Sequence, residues 1–350
     1  MGYKRGMTSL KLPLVIAAAA ASVAVVVAAT TVHAAGTATQ IATPTSGALA
    51  LQSNFISVVK QVLPSVVQIE TPSGLGSGII FDTKGDIVTN AHVVGTSTSF
   101  TVTTNTATGA KRVPGTLVGT FVQDDLAVIK IAPGGLRPAS FADSSKLRVG
   151  DISMAIGNPL GLSSSVTEGI VSALGRSQTE SNGVTLVNTI QTSAAINPGN
   201  SGGALVDLYG RVTGIPTLAA VDQSLGTTAA GIGFAIPSNV VKDIASQIIK
   251  NGHVVNSHRA YLGVTIADTT SGAGVYVSAV TAGGPANKAG INVGDVITAI
   301  NGSPTLTSAT LGTVVGALAP GKTVNVTVTR QAGGTATLKL KLGEFPGSTS

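Results

Sequence analysis

A chain of 350 residues that is 43% hydrophobic and only 10% charged has room for about two globular domains, and is too apolar for a disordered tail or a coiled coil. Setting aside Lys4, Arg5 and Lys11 of the acid-free first 34 residues reduces the +6 net charge to 18 basic against 15 acidic residues; with 3% aromatics and no basic run among them, nucleic acid is excluded as a partner. The absence of cysteine excludes disulfides, thiolate zinc sites and cysteine nucleophiles.

The 44 glycines, with abundant Val, Ile and Thr, point to a mostly β class built from short strands and tight turns. At the N-terminus, MGYKRGMTSLK carries the positive charge and Leu12 to Val32 follows without any. Its 21 residues suffice to span a bilayer at roughly 1.5 Å per residue. Val32-His33-Ala34 also offers the small or apolar −3 and −1 positions of a signal-peptidase cut after Ala34. Residues 1–34 therefore fit either a cleaved signal peptide or a membrane anchor. Both place the rest of the chain in an extracytoplasmic compartment, periplasmic or secreted, because the basic flank stays inside.

Residues 35–52, rich in Ala, Thr and Gly, are expected to form a linker. A helix capped near Ser53 and stopped by Pro64 comes next, then a strand from Ser65. Short apolar runs such as SGIIFD, DIVTNAHVV, DLAVIKI, ISMAIG and GRVTGIPT then alternate with turn residues, which predicts a sandwich or a barrel pair. Val240, Val241, Ile244, Ile248 and Ile249 have helical spacing over 239–251, and Gly252 ends that helix. The first folded domain is thus placed at 53–251, a linker at 252–259, a second domain at 260–344 and a tail at 345–350; no internal sequence repeat is evident.

Within NPGNSGG at 197–203, Ser201 is either a turn residue or a nucleophile. Serine acyl transfer needs a base, a carboxylate that orients it, and donors for the developing oxyanion. His92 is the one histidine of the first domain, since His33 lies in the export segment and His253 and His258 in the second linker. Of nine aspartates between residues 50 and 245, Asp125 stands at the mouth of the apolar strand in DDLAVIKI, where a buried carboxylate needs a partner; Asp124 is expected to be its solvated neighbour. The order His92, Asp125, Ser201 is the trypsin-like order.

The strings TNAHVV, DLAVIKI and INPGNSGGALVD, supported by GSGIIFD at 76–82, AIGNP at 155–159, GIVSALGR at 169–176 and GIGFAIPSN at 231–239, resemble the HtrA (DegP/DegS-like) family of trypsin-fold serine proteases. The resemblance implies two six-stranded β-barrels, His92 and Asp125 from the first and Ser201 from the second. It also implies an oxyanion hole at Gly199, Asn200 and Ser201, with the N–H groups of Gly199 and Ser201 as donors. Ala195 stands where trypsin has its pocket aspartate, and with Ile196 and a wall of Ile232, Gly233 and Phe234 it implies a taste for small or medium aliphatic side chains. Ser193 and Glu168 depart from the family's QTDAAIN and VTSGIVSALGR strings without touching the triad.

YLGV at 261–264, GVYVSAV at 274–280 and GPANKAGINVGDVITAING at 284–302 resemble a smaller α+β PDZ domain of the bacterial, circularly permuted kind. Such a domain binds a peptide C-terminus by strand addition, with Leu262, Gly263 and Val264 receiving the carboxylate and a helix near 308–317 as the other wall. The resemblance implies an exported, ATP-independent endopeptidase of unfolded or misfolded proteins, gated by peptide binding and assembled as a homotrimer. The alternative is a latent protease acting mainly as a peptide-binding chaperone or scaffold. Neither needs a metal or organic cofactor.

Overall fold

The computed structural model describes residues 45–347 apart from 73, 107–108, 159–164, 180–183, 198, 223–226 and 271. The proposed export segment 1–34 and residues 35–44 of the first linker lie outside it. Among the described residues no helix is long and apolar enough to cross a membrane.

Helix α1 covers Ser46–Val62, so residues 46–52 are helical and not linker, and Ser53 is an interior residue, not the cap. The Ala- and Leu-rich stretch has high helix propensity, which outweighs its linker-like composition. Pro64 falls in a 3₁₀ turn over Leu63–Ser65, which needs no N–H from it. The first barrel follows: β1 (Val66–Thr71), β2 (Gly74–Ile80), β3 (Asp86–Thr89), β4 (Ser99–Thr106), β5 (Gly109–Phe121) and β6 (Leu126–Ile131), closed in the order β1-β2-β3-β6-β5-β4. A short helix α2 (Ala91–Val94) follows β3. The second barrel comprises β7 (Ile152–Gly157), β8 (Ser165–Thr179), β9 (Thr185–Thr192), β10 (Ala204–Val206), β11 (Val212–Asp222) and β12 (Thr227–Pro237). Its closed order, β10-β11-β12-β9-β8-β7, repeats that of the first, so the internal repeat exists in topology although the sequence carries none. Helix α3 (Ser238–Asn251) then ends on Gly252 in the left-handed region at φ 78°.

The barrels explain why strands such as DLAVIKI read as unbroken apolar runs. Leu126 and Val128 of β6 face a core shared with Met154, Ile156 and Ile215 of the second barrel and Val241, Ile244 and Ile248 of α3. The alternate residues Ala127, Ile129 and Ile131 fill the first barrel's interior with Val67, Ile69 and Phe100. A strand buried on both faces has no polar face to display.

The third sheet holds β14 (Val264–Asp268), β15 (Val275–Val280), β16 (Val296–Ile300), β18 (Thr323–Thr329) and β19 (Thr335–Lys341), with β17 (Ser303–Pro304) beside β16. A separate pair, β13 (Ala260–Tyr261) with β20 (Gly343–Glu344), closes its base. Helices α4 (Pro285–Ala289) and α5 (Ser308–Gly316) cover it, and α5 begins with a capping box between Thr307 and Thr310.

This unit is seated on the second barrel. A Cβ on Gly312 would come within 2.7 Å of Thr185 Oγ1, and one on Gly316 within 2.2 Å of Val187 Cγ1, so α5 approaches β9 as closely as glycine allows. Arg259, just before β13, adds a polar tie: Nη1 donates to Asp124 Oδ1 at 2.5 Å and to the Gln123 carbonyl at 2.6 Å, and Nη2 donates to the Thr185 carbonyl at 2.7 Å. Asp124 is therefore buried and paired, not solvated. Its pKa is raised by burial, against the opposing pull of Arg259. Arg259→Ala leaves this carboxylate buried without its cation and is expected to destabilise the chain by about 3–5 kcal/mol at neutral pH. A carboxyl whose folded pKa lies above its unfolded value favours folding most when protonated, so the deficit relative to wild type should shrink on acidification. Urea titrations of both proteins at pH 7 and pH 4.5 check this; a deficit that grows at low pH would refute it.

Candidate active site

Asp125 sits where β5 ends in a 3₁₀ turn over Val122–Asp124 and β6 begins. It adopts the left-handed conformation (φ 49°, ψ 43°), uncommon outside glycine, and this turns its carboxylate toward α2. Its carbonyl accepts from Asn90 Nδ2 at 3.0 Å and from the Ala91 N–H at 3.1 Å, so the aspartate backbone caps the helix that carries His92. Oδ1 accepts from the His92 N–H at 2.9 Å, and Oδ2 lies 2.8 Å from His92 Nδ1. The Asp125 side chain is 2% exposed and that of His92 39%, which suits a buried orienting acid and a base that must meet solvent and substrate.

Thr217 of β11 links this pair to Ser201. Its hydroxyl donates to Asp125 Oδ2 at 2.5 Å, and its carbonyl accepts from Ser201 Oγ at 2.9 Å. The three residues singled out in the sequence thus lie on one hydrogen-bonded chain across the cleft between the barrels. The sequence marked Thr217 only as part of the GRVTGIPT strand, since a threonine in a β run has no local signature.

The loop around Ser201 is a set of close backbone approaches. Gly199 has φ 105°, the Asn200 N–H donates to the Asn197 carbonyl at 3.0 Å, and the Gly203 N–H donates to the Asn200 carbonyl at 2.9 Å. Asn200 thus stands between the two expected donors without adding a third: its main chain closes the turn, and its Nδ2 donates to the Ala195 carbonyl at 3.2 Å. Among the described residues the Gly199 and Ser201 N–H groups meet no acceptor. Gly202 (φ 78°) packs so closely that a Cβ would sit 2.2 Å from the Ser77 carbonyl oxygen.

Beside this loop, Ile196 and Phe234 are buried, whereas Ala195 and Ile232 are exposed. Gly233 lies against Ile196, where a Cβ would be 2.3 Å from Cγ1. The Ser193 hydroxyl accepts from the Ile170 N–H at 3.0 Å, tying the segment just after β9 to β8. Just before the third sheet, Gly263 has φ 80° between buried Leu262 and half-buried Val264. The Leu262 and Gly263 carbonyls accept from Ala286 at 2.8 Å and Thr281 at 2.9 Å, which fixes that turn at the head of edge strand β14.

Residues 76–215 match the family model described as a trypsin-like peptidase domain, and residues 260–342 match that of a PDZ domain. The chain is 40% identical over 306 residues to serine protease PepD of Mycobacterium tuberculosis, covering 82% of this chain and 65% of that protein. It is 43% identical over 265 residues to the periplasmic serine endoprotease DegP of Escherichia coli K12, covering 73% and 54%. It thus spans between about half and two-thirds of the length of these curated relatives. Among solved structures, the HtrA-type protease AlgW with a decapeptide is 30% identical with a TM-score of 0.58, covering 83% of this chain and 99% of that one. The serine endoprotease from Yersinia pestis is 33% identical with a TM-score of 0.57, covering 87% and 100%. Two barrels, an appended PDZ domain and these relatives together mean that the chain belongs to the HtrA family of trypsin-like serine proteases.

Proposed function

We propose that the chain is an exported, ATP-independent serine endopeptidase that cleaves unfolded or misfolded proteins through an acyl-enzyme, regulated by peptide binding to its PDZ domain. The observation that carries this is the run of hydrogen bonds from His92 through Asp125 and Thr217 to Ser201. Ser201 Oγ attacks the scissile carbonyl carbon as His92 takes its proton, and the Gly199 and Ser201 N–H groups receive the oxyanion. Collapse expels the amine, which takes the proton from His92. Water then attacks the acyl-enzyme by the same route and frees Ser201.

Ala195 in place of an acid, with Ile196 and Phe234 alongside, favours a small or medium aliphatic P1 side chain over Lys or Arg. For regulation, the support is the seating of α5, one wall of the peptide groove, on β9, together with the Arg259 tie to the residue beside Asp125. Export rests on the charge pattern of residues 1–34 and on relatives named as periplasmic. The homotrimer and any membrane anchoring rest on family resemblance and on the apolar run at 12–32.

One observation favours a second reading, a latent protease serving mainly as a chaperone: Ser201 Oγ donates to a carbonyl, and must turn from it to be deprotonated by His92. Incubating the full chain with fluorescein-labelled casein and a fluorophosphonate probe separates the two. The protease reading expects cleavage, labelling at Ser201, and peptide substrates with P1 Val cut at least tenfold faster than those with P1 Arg. An unlabelled, inert protein that keeps casein soluble would favour the chaperone, and a P1 Arg preference would overturn the pocket.

A further inference from the structure

Ser77 of β2 is fully buried and every polar group it has is spent on the loop that carries Ser201 or on its supports. Its N–H donates to the Ser201 carbonyl at 3.0 Å, and its carbonyl accepts from Thr89 Oγ1 at 2.6 Å. Its hydroxyl donates to the Gly199 carbonyl at 2.6 Å and accepts from the Asn158 N–H at 2.8 Å. One serine of the first barrel thus holds two carbonyls of the nucleophile loop of the second.

Peptide planarity turns this into control of the oxyanion hole. In a trans peptide, C=O and N–H point in opposite directions, so fixing one aims the other. The peptide after Gly199 is held at both ends, by Ser77 Oγ on its carbonyl and by the Asn197 carbonyl on its N–H. The peptide before Ser201 is held through the Asn200 carbonyl, which accepts from Gly203, and this aims the Ser201 N–H the other way. The direction of the Gly199 N–H is then set by rotation about Gly199 itself, and glycine resists such rotation least. Without the Ser77 hydroxyl one side of that hinge is loose. The close packing of Gly157, where a Cβ would lie 2.6 Å from the Gly199 carbonyl oxygen, limits rotation by contact but supplies no hydrogen bond in its place.

We propose that the Ser77 hydroxyl is a positioning residue for the oxyanion hole, acting from the first barrel through the Gly199 carbonyl. This rests on the assignment of Ser201 as nucleophile. Ser77→Ala should lower kcat on peptide substrates by about 10- to 100-fold, somewhat less than removal of a whole oxyanion donor, and leave KM within about threefold. It should weaken inhibition by a peptide aldehyde with valine at P1, whose hemiacetal oxygen occupies the hole, by a similar factor. A merely structural role would lower the melting temperature without shifting kcat or aldehyde affinity per titrated active site.

Where Ser77→Ala fails to fold, Ser77→Cys keeps nearly the same shape with a far weaker hydrogen-bonding group and should show the same joint loss. Wild-type kcat and aldehyde affinity per active site in whichever variant folds would overturn the proposal. The nucleophile assignment fails by a different result, casein cleavage by Ser201→Ala.

Discussion

Replacing Ser201 by alanine should lower casein turnover on the order of 10⁵- to 10⁶-fold, about 7–8 kcal/mol of transition-state stabilisation, and abolish fluorophosphonate labelling. The size follows from what the hydroxyl does. Without Oγ no acyl-enzyme can form, and what remains is substrate binding plus the two N–H donors acting on attack by water. The folded state should hardly notice. Ser201 is half-buried and among the described residues its hydroxyl makes one hydrogen bond, to the Thr217 carbonyl, so the stability cost is about 1 kcal/mol. A variant that melts within a few degrees of wild type yet is inert isolates chemistry from folding. Turnover within tenfold of wild type would remove Ser201 from the nucleophile's role.

Most of the residues that meet in this candidate site stand out in the chain before folding, because serine acyl transfer, the chemistry proposed, constrains residue types as well as positions. A domain with a single histidine has one imidazole base to offer, and glycines crowded on a serine make sense where backbone must approach backbone. What could not be read were the contacts between barrels. Thr217 and Ser77 hold the site together with hydroxyls and carbonyls, groups that β-sheet sequence supplies in abundance and that acquire a role only from their neighbours in space. Asp124 departs from the solvated state its sequence suggests for the same reason. Its partner, Arg259, is far along the chain in a stretch that reads as linker, and no local pattern could announce that the two meet. At the start of α1 the composition of residues 46–52 reads as linker, whereas their helix propensity decides the outcome once α1 packs Val58 and Val62 into the shared core.

Asp125→Asn is the sharpest test of the rest of the proposed triad. Three donors converge on the two carboxylate oxygens: the His92 N–H on Oδ1, and both His92 Nδ1 and Thr217 Oγ1 on Oδ2. An amide has one oxygen and one NH₂, so in either orientation its nitrogen must confront a donor. If NH₂ faces the His92 main chain, two N–H groups collide and the loop between β3 and α2 is strained. If it faces the ring, Nδ1 must become an acceptor, the proton moves to Nε2, and the imidazole can no longer take the proton of Ser201. The second arrangement costs less strain, so the variant should fold, bind peptide with KM within about threefold of wild type, and lose about 10⁴-fold in kcat at neutral pH. Nitrogen NMR of the His92 ring gives the independent check: Nδ1 should carry the proton in wild type and Nε2 in the variant. An unchanged tautomer with an unchanged kcat would mean that Asp125 orients the helix carrying His92 through its backbone alone, and that its carboxylate is not part of the chemistry.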